Sequence, residues 1–219
     1  MKINTDGVLL GAIAEAGDPK TILDIGTGTG VIGLMLAQRY ARAKIDAVEI
    51  DEAAAQTAGR NFEVSPFSER LAVHAIDFES YFDRFPERKY DLIVSNPPFY
   101  IGSLKSPGEK KSLAKHTDTA FFEKLVGGVS NHLMPGGSCW LILPGHIADI
   151  VVGFGEKLNL IPQKIIRVQS YESSQPHRVI LSLGLNKVSP EIANFIIYEA
   201  VGVYSKEYRR LLEPYFLAF

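Results

Sequence analysis

The chain has 219 residues, a length that suits one α/β domain of generous size and is tight for two full domains. Hydrophobic residues make up 46% and charged residues 22%, which permits a sizeable core and excludes disordered, collagen-like and coiled-coil proteins. The net charge of −2 is unevenly divided: residues 1–100 hold 10 Lys/Arg and 15 Asp/Glu and the remainder 13 and 10, so basic surface for an acidic partner is expected only in the later part.

Short β-branched runs alternate with longer amphipathic stretches from residue 21 onward. This pattern predicts strands at 21–25, 45–50, 71–74, 90–95 and 138–143, with helices at 31–40, 52–62, 79–85, 119–133 and 146–158. Strands that recur with helical crossovers indicate an α/β fold in which a mostly parallel sheet has helices on both faces.

The last part of the chain departs from this alternation. Two extended runs, 164–169 and 179–185, flank a turn-rich stretch and predict a closing antiparallel hairpin. A tail strand at 195–200 and a short helix from about Lys206 follow. Residues 101–116 form a long loop without periodicity, and ordered loops of that length tend to be functional.

The single cysteine and the apolar runs bear on the cellular compartment. Cys139 lies in an apolar run, which predicts a buried structural thiol, and one cysteine excludes an internal disulfide. No apolar run approaches the ~20 residues of a membrane span. Since no secretory signal opens the chain either, we expect a cytoplasmic protein without a membrane partner.

A glycine-rich turn separates the first predicted strand from the first long helix. Gly26, Gly28 and Gly30 lack Cβ atoms, so the backbone there can come close to a ligand. The G-x-G-x-G spacing lacks the sixth-position glycine of a nicotinamide-binding fingerprint, and Asp24 precedes it. Glu49 ends the second strand, 21 residues after Gly28, where it can accept hydrogen bonds from a ribose diol.

Asp77 follows the third predicted strand and is placed to hydrogen-bond an adenine amino group. The glycine turn and the acids converge at the carboxyl ends of three strands, where open α/β sheets bind ligands, so they predict a ribosyl-adenine cofactor. The set resembles that of the class I S-adenosylmethionine-dependent methyltransferases over residues 20–185. The resemblance implies S-adenosylmethionine as cofactor and a Rossmann-like, seven-stranded sheet. It also implies that the glycine turn faces the methionine moiety and that Glu49 holds the ribose.

The fourth predicted strand ends in Asn96, Pro97, Pro98 and Phe99. Two prolines alone indicate a stiff turn. Beside a methyl sulfonium, however, the Asn96 side-chain oxygen and the Pro97 carbonyl can accept both N–H bonds of a planar amino group, while Phe99 stacks on its ring. Because the sulfonium is already activated, catalysis is mostly positioning and no metal is expected. These four residues, predicted to be catalytic, resemble the Asn-Pro-Pro-aromatic signature of methyltransferases for exocyclic amines and glutamine amides.

The signature is shared by adenine-N6, guanine-N2 and protein glutamine-N5 enzymes, so the flanks must distinguish them. Three segments before and after the signature, in this order along the chain, resemble those of the bacterial tRNA(Val) (adenine-37-N6)-methyltransferase family. They are Lys2 with Thr5-Asp6-Gly7, Pro176-His177-Arg178 and Tyr204-Ser205-x-Glu207-Tyr208. The resemblance covers nearly the whole chain. It implies methylation of N6 of the adenine beside the anticodon, and it adds Thr5 and Asn96 to the cofactor set.

Basic residues near these motifs are candidate contacts to tRNA, the expected partner. The candidates are Lys105, Lys110, Lys111, Lys115, His177 and Arg178. The lysine run is equally typical of a solvated loop, but next to a turn that accepts a base it can contact phosphates.

We expect residues 1–219 to form one methyltransferase domain, with a helical segment 1–19 over the cofactor, a core 20–186 and a C-terminal extension 187–219. The chain has no room for the N-terminal helical domain of a protein glutamine-N5 methyltransferase, and a non-catalytic adenosyl-binding RNA module has no use for the Asn96 turn. A guanine-N2 rRNA methyltransferase stays an alternative. Family members usually carry an aromatic and basic stretch before Lys2, which predicts a short native protein or a truncated form. A monomer is the working expectation.

Overall fold

The computed structural model describes residues 5–98 and 110–216, with only the backbone described for 110–118. Its helices are α1 (Thr5–Ile13), α2 (Val31–Arg39), α3 (Glu52–Glu63), α4 (Phe78–Arg84), α5 (Lys110–His132), α6 (Gly145–Lys157) and α7 (Lys206–Leu212). Its strands are β1 (Thr21–Ile25), β2 (Lys44–Val48), β3 (Leu71–His74), β4 (Tyr90–Ser95), β5 (Leu133–Leu143), β6 (Ile161–Gln169), β7 (Arg178–Gly184), β8 (Glu191–Ile196), β9 (Tyr198–Ala200) and β10 (Val203–Tyr204).

The main sheet has the strand order β3-β2-β1-β4-β5-β7-β6-β8. The first five strands of the chain run parallel to one another, and β7 is antiparallel to both β5 and β6. The mostly parallel sheet and its antiparallel last hairpin are therefore confirmed. Because β1, β2 and β4 are parallel neighbours, their carboxyl ends meet at one edge of the sheet, which is where a ligand site is expected.

Among the described residues, the main sheet has eight strands rather than the predicted seven. The extra strand, β8, pairs parallel to β6 at the sheet edge, and the predicted tail strand 195–200 is divided by the end of β8 at Ile196. Residues 198–200 instead pair with β10 in a separate two-stranded sheet. The first half of β8 places Glu191 and an exposed Ile192 at the edge, so its pattern lacks the clean apolar alternation by which a strand is detected.

Helix α5 begins earlier than the sequence pattern indicates. The sequence pattern predicts a loop at 101–116 and a helix from 119. Residues 101–109 lie outside the described residues, whereas 110–116 belong to α5, which starts at Lys110. Lys, Ala and Leu favour helix, but the first two turns carry no apolar stripe, so the periodicity on which the prediction depends is missing there.

Apolar residues cover both faces of the sheet and helices pack on each face, which confirms the predicted sheet with helices on both faces. One core cluster packs α1, α2 and α7 against the sheet, and the other packs α4, α5 and α6. Cys139 lies in β5 within the second cluster and is fully buried, and burial raises the pKa of its thiol. Within the part of the chain that is described, no helix has both the length and the apolar character that crossing a bilayer requires.

Candidate active site

A cavity of about 760 Å³ opens at the carboxyl ends of β1, β2 and β4. Its volume is in the range of small-molecule and cofactor sites. Predicted cofactor and catalytic residues meet around it, and those that line it are Gly26, Gly28, Glu49, Asp77, Asn96, Pro97 and Pro98.

The glycine turn after β1 has a backbone that disfavours other residues. The φ angles of Gly26, Gly28 and Gly30 are 71°, 60° and 86°, all in the left-handed region. A Cβ on Gly30 would lie 2.5 Å from Cε1 of Phe62, so this glycine allows α3 to pack behind the turn and does not itself line the cavity. The Gly26 N–H donates to the Val48 carbonyl at 2.8 Å, which ties the turn to β2.

Asp24 lies behind this turn and is fully buried. Its Oδ2 accepts hydrogen bonds from Thr27 Oγ1 at 2.5 Å and from the Gly33 N–H at 3.1 Å. Its Oδ1 is buried and has no hydrogen-bond partner among the described residues. Burial raises the pKa of Asp24 to about 7. Asp24 thus braces the turn rather than lining the cavity, and one of its oxygens is left for a further donor.

Glu49, directly after β2, is held by backbone amides. Its Oε2 accepts from the Gly28 N–H at 2.8 Å, and its Oε1 accepts from the Asp51 N–H at 2.9 Å. The residue is 8% exposed and lines the cavity. A carboxylate oxygen can accept two hydrogen bonds, so each oxygen of Glu49 keeps one acceptor position. The side chain is therefore both oriented and able to bind a pair of hydroxyl groups.

Asp77 and Thr5 were both expected to bind the cofactor, but Asp77 also caps a helix and Thr5 lies away from the cavity lining. Asp77 caps α4: its Oδ1 accepts from the Ser80 N–H at 2.8 Å and its Oδ2 from Ser80 Oγ at 2.7 Å, and these bonds lower its pKa. It still lines the cavity. Thr5 begins α1, is exposed and does not line the cavity, whereas Gly7 and Val8 of the same turn do.

The Asn96 turn follows directly after the carboxyl end of β4. Asn96 is half-buried, and the buried Ser95 next to it donates from Oγ to the Ile25 carbonyl at 2.8 Å, which fixes this turn beside β1. Of the other predicted substrate-site residues, Phe99 and Lys105 lie outside the described residues. The same holds for the side chains of Lys110, Lys111 and Lys115.

The remaining predicted tRNA contacts are at the start of β7. His177 is exposed, and Arg178 forms an ion pair with Asp6, whose Oδ2 lies 2.7 Å from Arg178 Nε. Arg178 therefore reaches the helix whose first turn lines the cavity.

The sequence pattern does not identify the apolar residues of the cavity. Ile50 follows Glu49 and is 75% exposed at the cavity, although it continues an apolar strand pattern. Phe121 of α5 and Phe78 of α4 also line it, with their rings edge to face at 5.4 Å. Such surfaces suit a flat heteroaromatic ring. The position of Ile50, directly after the acid at the end of a strand, could have indicated its place at the cavity. The place of Phe121 depends on the packing of α5 and could not be predicted from local sequence.

Comparison with known proteins agrees with this geometry. Residues 5–150 match the model of the methyltransferase small domain family. A predicted O-methyltransferase from Agrobacterium tumefaciens superposes with a TM-score of 0.74 over 95% of this chain and 96% of that one, at 17% identity. TrmN from Thermus thermophilus superposes with a TM-score of 0.58 over 81% of this chain and 47% of that one, at 19% identity. The fold is that of the class I methyltransferases, and the chain matches the methyltransferase small domain family over two thirds of its length.

Full-length relatives are more specific. The tRNA1(Val) (adenine(37)-N6)-methyltransferase of Pedobacter heparinus is 46% identical over 219 residues, covering 100% of this chain and 92% of the relative. The protein of the same name from Flavobacterium psychrophilum is 40% identical, covering 99% and 93%. The chain belongs to the tRNA1(Val) (adenine(37)-N6)-methyltransferase family.

Proposed function

We propose that this protein transfers a methyl group from S-adenosylmethionine to the exocyclic N6 amine of an adenine in tRNA, adenine 37 of tRNA1(Val). The observation that carries the proposal is that Glu49 and the Asn96 turn lie on one cavity, at the carboxyl ends of adjacent parallel strands. Membership of the family supports the choice of tRNA and of adenine.

The described residues fit S-adenosylmethionine. Glu49 would hold the ribose hydroxyls, and the apolar sides of Ile50 and Phe78 would pack against the adenine. Asp24 does not line the cavity, so its buried Oδ1, behind the glycine turn, would act on the ammonium group of the methionine part through a water molecule or at longer range, as a negative charge. When bound, this cofactor supplies a methyl group on a positively charged sulfur, which needs no further activation.

The Asn96 turn would present the amine. The Asn96 side-chain oxygen and the Pro97 carbonyl accept its two N–H bonds, and proline adds no competing donor. An exocyclic amine is a weak nucleophile because its lone pair is delocalised into the ring. The protein's contribution is therefore alignment of the amine with the methyl group, and loss of alignment is costly. We propose Phe99 as the stacking partner of the base.

We propose that tRNA contacts the start of α5 and the exposed His177. We also propose that the protein acts in the cytoplasm. The later part of the chain carries the excess of basic residues. Phosphate contacts set the position of an RNA, whereas the base itself is read in the pocket. The basic residues are thus expected to control tRNA affinity and the Asn96 turn the chemistry.

Methyl transfer from labelled S-adenosylmethionine tests the proposal. Unmodified tRNA1(Val) should become labelled, and digestion should yield N6-methyladenosine. A transcript with guanine in place of adenine 37 is the matched control and should stay unlabelled. If the label appears instead in guanine of rRNA or in glutamine of protein, the protein is a guanine-N2 or a glutamine-N5 methyltransferase and the proposed adenine-N6 activity is wrong.

Asn96→Ala serves as the catalytic control in the same assay. We expect turnover to fall about 10²-fold or more, because one acceptor and its alignment are lost, while affinity for S-adenosylhomocysteine stays within threefold. Equal losses of turnover and cofactor affinity would mean that the turn is structural.

A further inference from the structure

Helix α1 is anchored at both ends by arginine side chains from other elements. At its carboxyl end, Arg39 of α2 donates to the carbonyls of Ala12 and Ala14. At its amino end, Arg178 at the start of β7 donates from Nε to Asp6 Oδ2 at 2.7 Å, across 172 residues of sequence. The first anchor holds backbone within the core, whereas the second holds the turn that carries cavity residues.

The amino-terminal anchor adjoins the cofactor cavity. Gly7 and Val8, which follow Asp6 directly, line the cavity and are buried. The side chains of Asp6 and Arg178 are 19% and 27% exposed, so their pairing is less screened than that of a surface ion pair. Arg178 is also restrained by a hydrogen bond from its Nη1 to the His177 carbonyl at 2.9 Å.

We propose that the Asp6–Arg178 ion pair is a latch that holds the first turn of α1 against the cofactor cavity, so that Arg178 is a positioning residue for the cofactor. This inference rests on the proposed use of S-adenosylmethionine. The latch works by preorganisation: with it closed, Gly7 and Val8 already form a wall of the cavity, and cofactor binding does not have to order them. Opening the latch also leaves the partly buried Asp6 carboxylate without the Arg178 cation.

The latch gives Arg178 a role that a contact to RNA would not. Cofactor affinity measured without any RNA should depend on Arg178 if it acts through Asp6. An arginine that only contacts tRNA should leave that affinity unchanged and should raise the KM for tRNA instead.

Calorimetric titration with S-adenosylhomocysteine, without RNA, tests the latch. We expect Arg178→Ala and Asp6→Asn each to bind about 5- to 20-fold more weakly than wild type. The exchanged pair, Asp6→Arg with Arg178→Asp, should recover affinity to within about threefold of wild type. Arg42→Ala is the matched control, because Arg42 pairs with Asp18 at the same 2.7 Å but on exposed surface, and it should bind like wild type.

Kinetics and folding provide the second measurement. In methyl transfer, Arg178→Ala should raise the KM for S-adenosylmethionine by a similar factor while kcat at saturating cofactor stays within twofold. A fall in kcat without a change in KM would contradict the latch. Far-ultraviolet circular dichroism identifies a variant that fails to fold, in which case Asp6→Asn and the exchanged pair decide.

The possible failures are distinguishable. Wild-type protein that does not bind S-adenosylhomocysteine overturns the proposed function and the latch with it. Wild-type protein that binds, together with folded Arg178→Ala that binds within twofold of it, overturns the latch alone.

Discussion

Asp46 and Glu49 are three residues apart, one within β2 and one directly after it, yet their surroundings differ. Asp46 accepts hydrogen bonds from the side chains of Arg88 and Tyr90 and lies 3.0 Å from His74 Nε2. Burial raises the pKa of Asp46, but the hydrogen bonds and the charge of Arg88 outweigh it and hold the pKa below its ordinary value. In the described part of the chain, Glu49 instead receives its hydrogen bonds from two backbone N–H groups.

The difference separates a structural carboxylate from one available to a ligand. Asp46 has a cation and two further side chains as partners, and Tyr81 extends the network through the Tyr90 hydroxyl at 2.6 Å. Glu49 is fixed in place by backbone but faces a cavity with acceptor positions unused. Removing Asp46 should therefore cost stability, and removing Glu49 should cost cofactor affinity.

The largest expected effect is that of Glu49→Ala. Losing two charge-assisted hydrogen bonds to the ribose, and the support of the Gly28 N–H, should weaken S-adenosylhomocysteine binding by roughly 2–4 kcal/mol, or about 30- to 1000-fold. Calorimetric titration measures it, and apo-protein Tm shows whether the turn has collapsed. A variant that binds within threefold of wild type would remove Glu49 from the cofactor site.

Asp46→Ala should lower the stability of the protein and leave its cofactor affinity nearly unchanged. It leaves Arg88 and the Tyr90 hydroxyl without their partner in a half-buried setting, so we expect a loss of about 2–3 kcal/mol in the free energy of unfolding. Urea denaturation measures this loss. Cofactor affinity of the folded variant should be within twofold of wild type, and a tenfold loss would contradict the division between the two carboxylates.

Asp24 has a structural role like Asp46 and an unused acceptor like Glu49. Its effects on stability and on cofactor affinity should be smaller and should depend on pH. Its pKa of about 7 is above the value of 3.8 expected when unfolded, so the folded chain binds this proton more tightly. Its contribution to stability is therefore greatest at low pH and falls as pH rises from about 4 to about 7. A cationic cofactor group favours the ionised carboxylate, so cofactor affinity should rise between pH 6 and pH 8, by at most about tenfold, in a calorimetric titration at each pH.

Asp24→Asn is the control for that pH dependence. It keeps an acceptor for Thr27 and Gly33 but does not titrate, so the part of the rise that belongs to Asp24 should disappear. The comparison also cancels the titration of the cofactor's own amino group. Identical pH profiles for the two proteins would show that Asp24 does not sense the cofactor.

The smallest expected effect lies away from all three carboxylates. If the start of α5 contacts RNA phosphates, changing Lys110 and Lys111 together to Ala should make the salt dependence of tRNA binding shallower by about one to two units. Methyl transfer at saturating tRNA should be largely unchanged. A double variant that titrates tRNA like wild type at low and moderate salt would favour a solvated segment, and His177 becomes the better candidate.

Local pattern was sufficient for the parallel strands, the glycine turn and the Asn96 turn. It could not show that Glu49 and Asp46 have different partners, since both are acids at one strand. Only the packing of α4, β4 and the segment between them supplies Tyr81, Arg88 and Tyr90. Likewise, the pairing of Asp6 with Arg178 spans most of the chain and leaves no local trace. The eighth strand was predicted at 195–200 instead of 191–196, because an edge strand with a charged start has a weak apolar alternation.

Cys139 has a practical consequence for following this molecule in solution. It is the single cysteine of the chain, is fully buried in β5 and has a raised pKa, so maleimide reagents should not reach it while the sheet is intact. A cysteine placed at Val201, which is 88% exposed at the tip of the β9–β10 hairpin, would then accept a fluorophore at one chosen position without removal of the native thiol. The slow labelling of Cys139 itself would report how often the centre of the sheet opens.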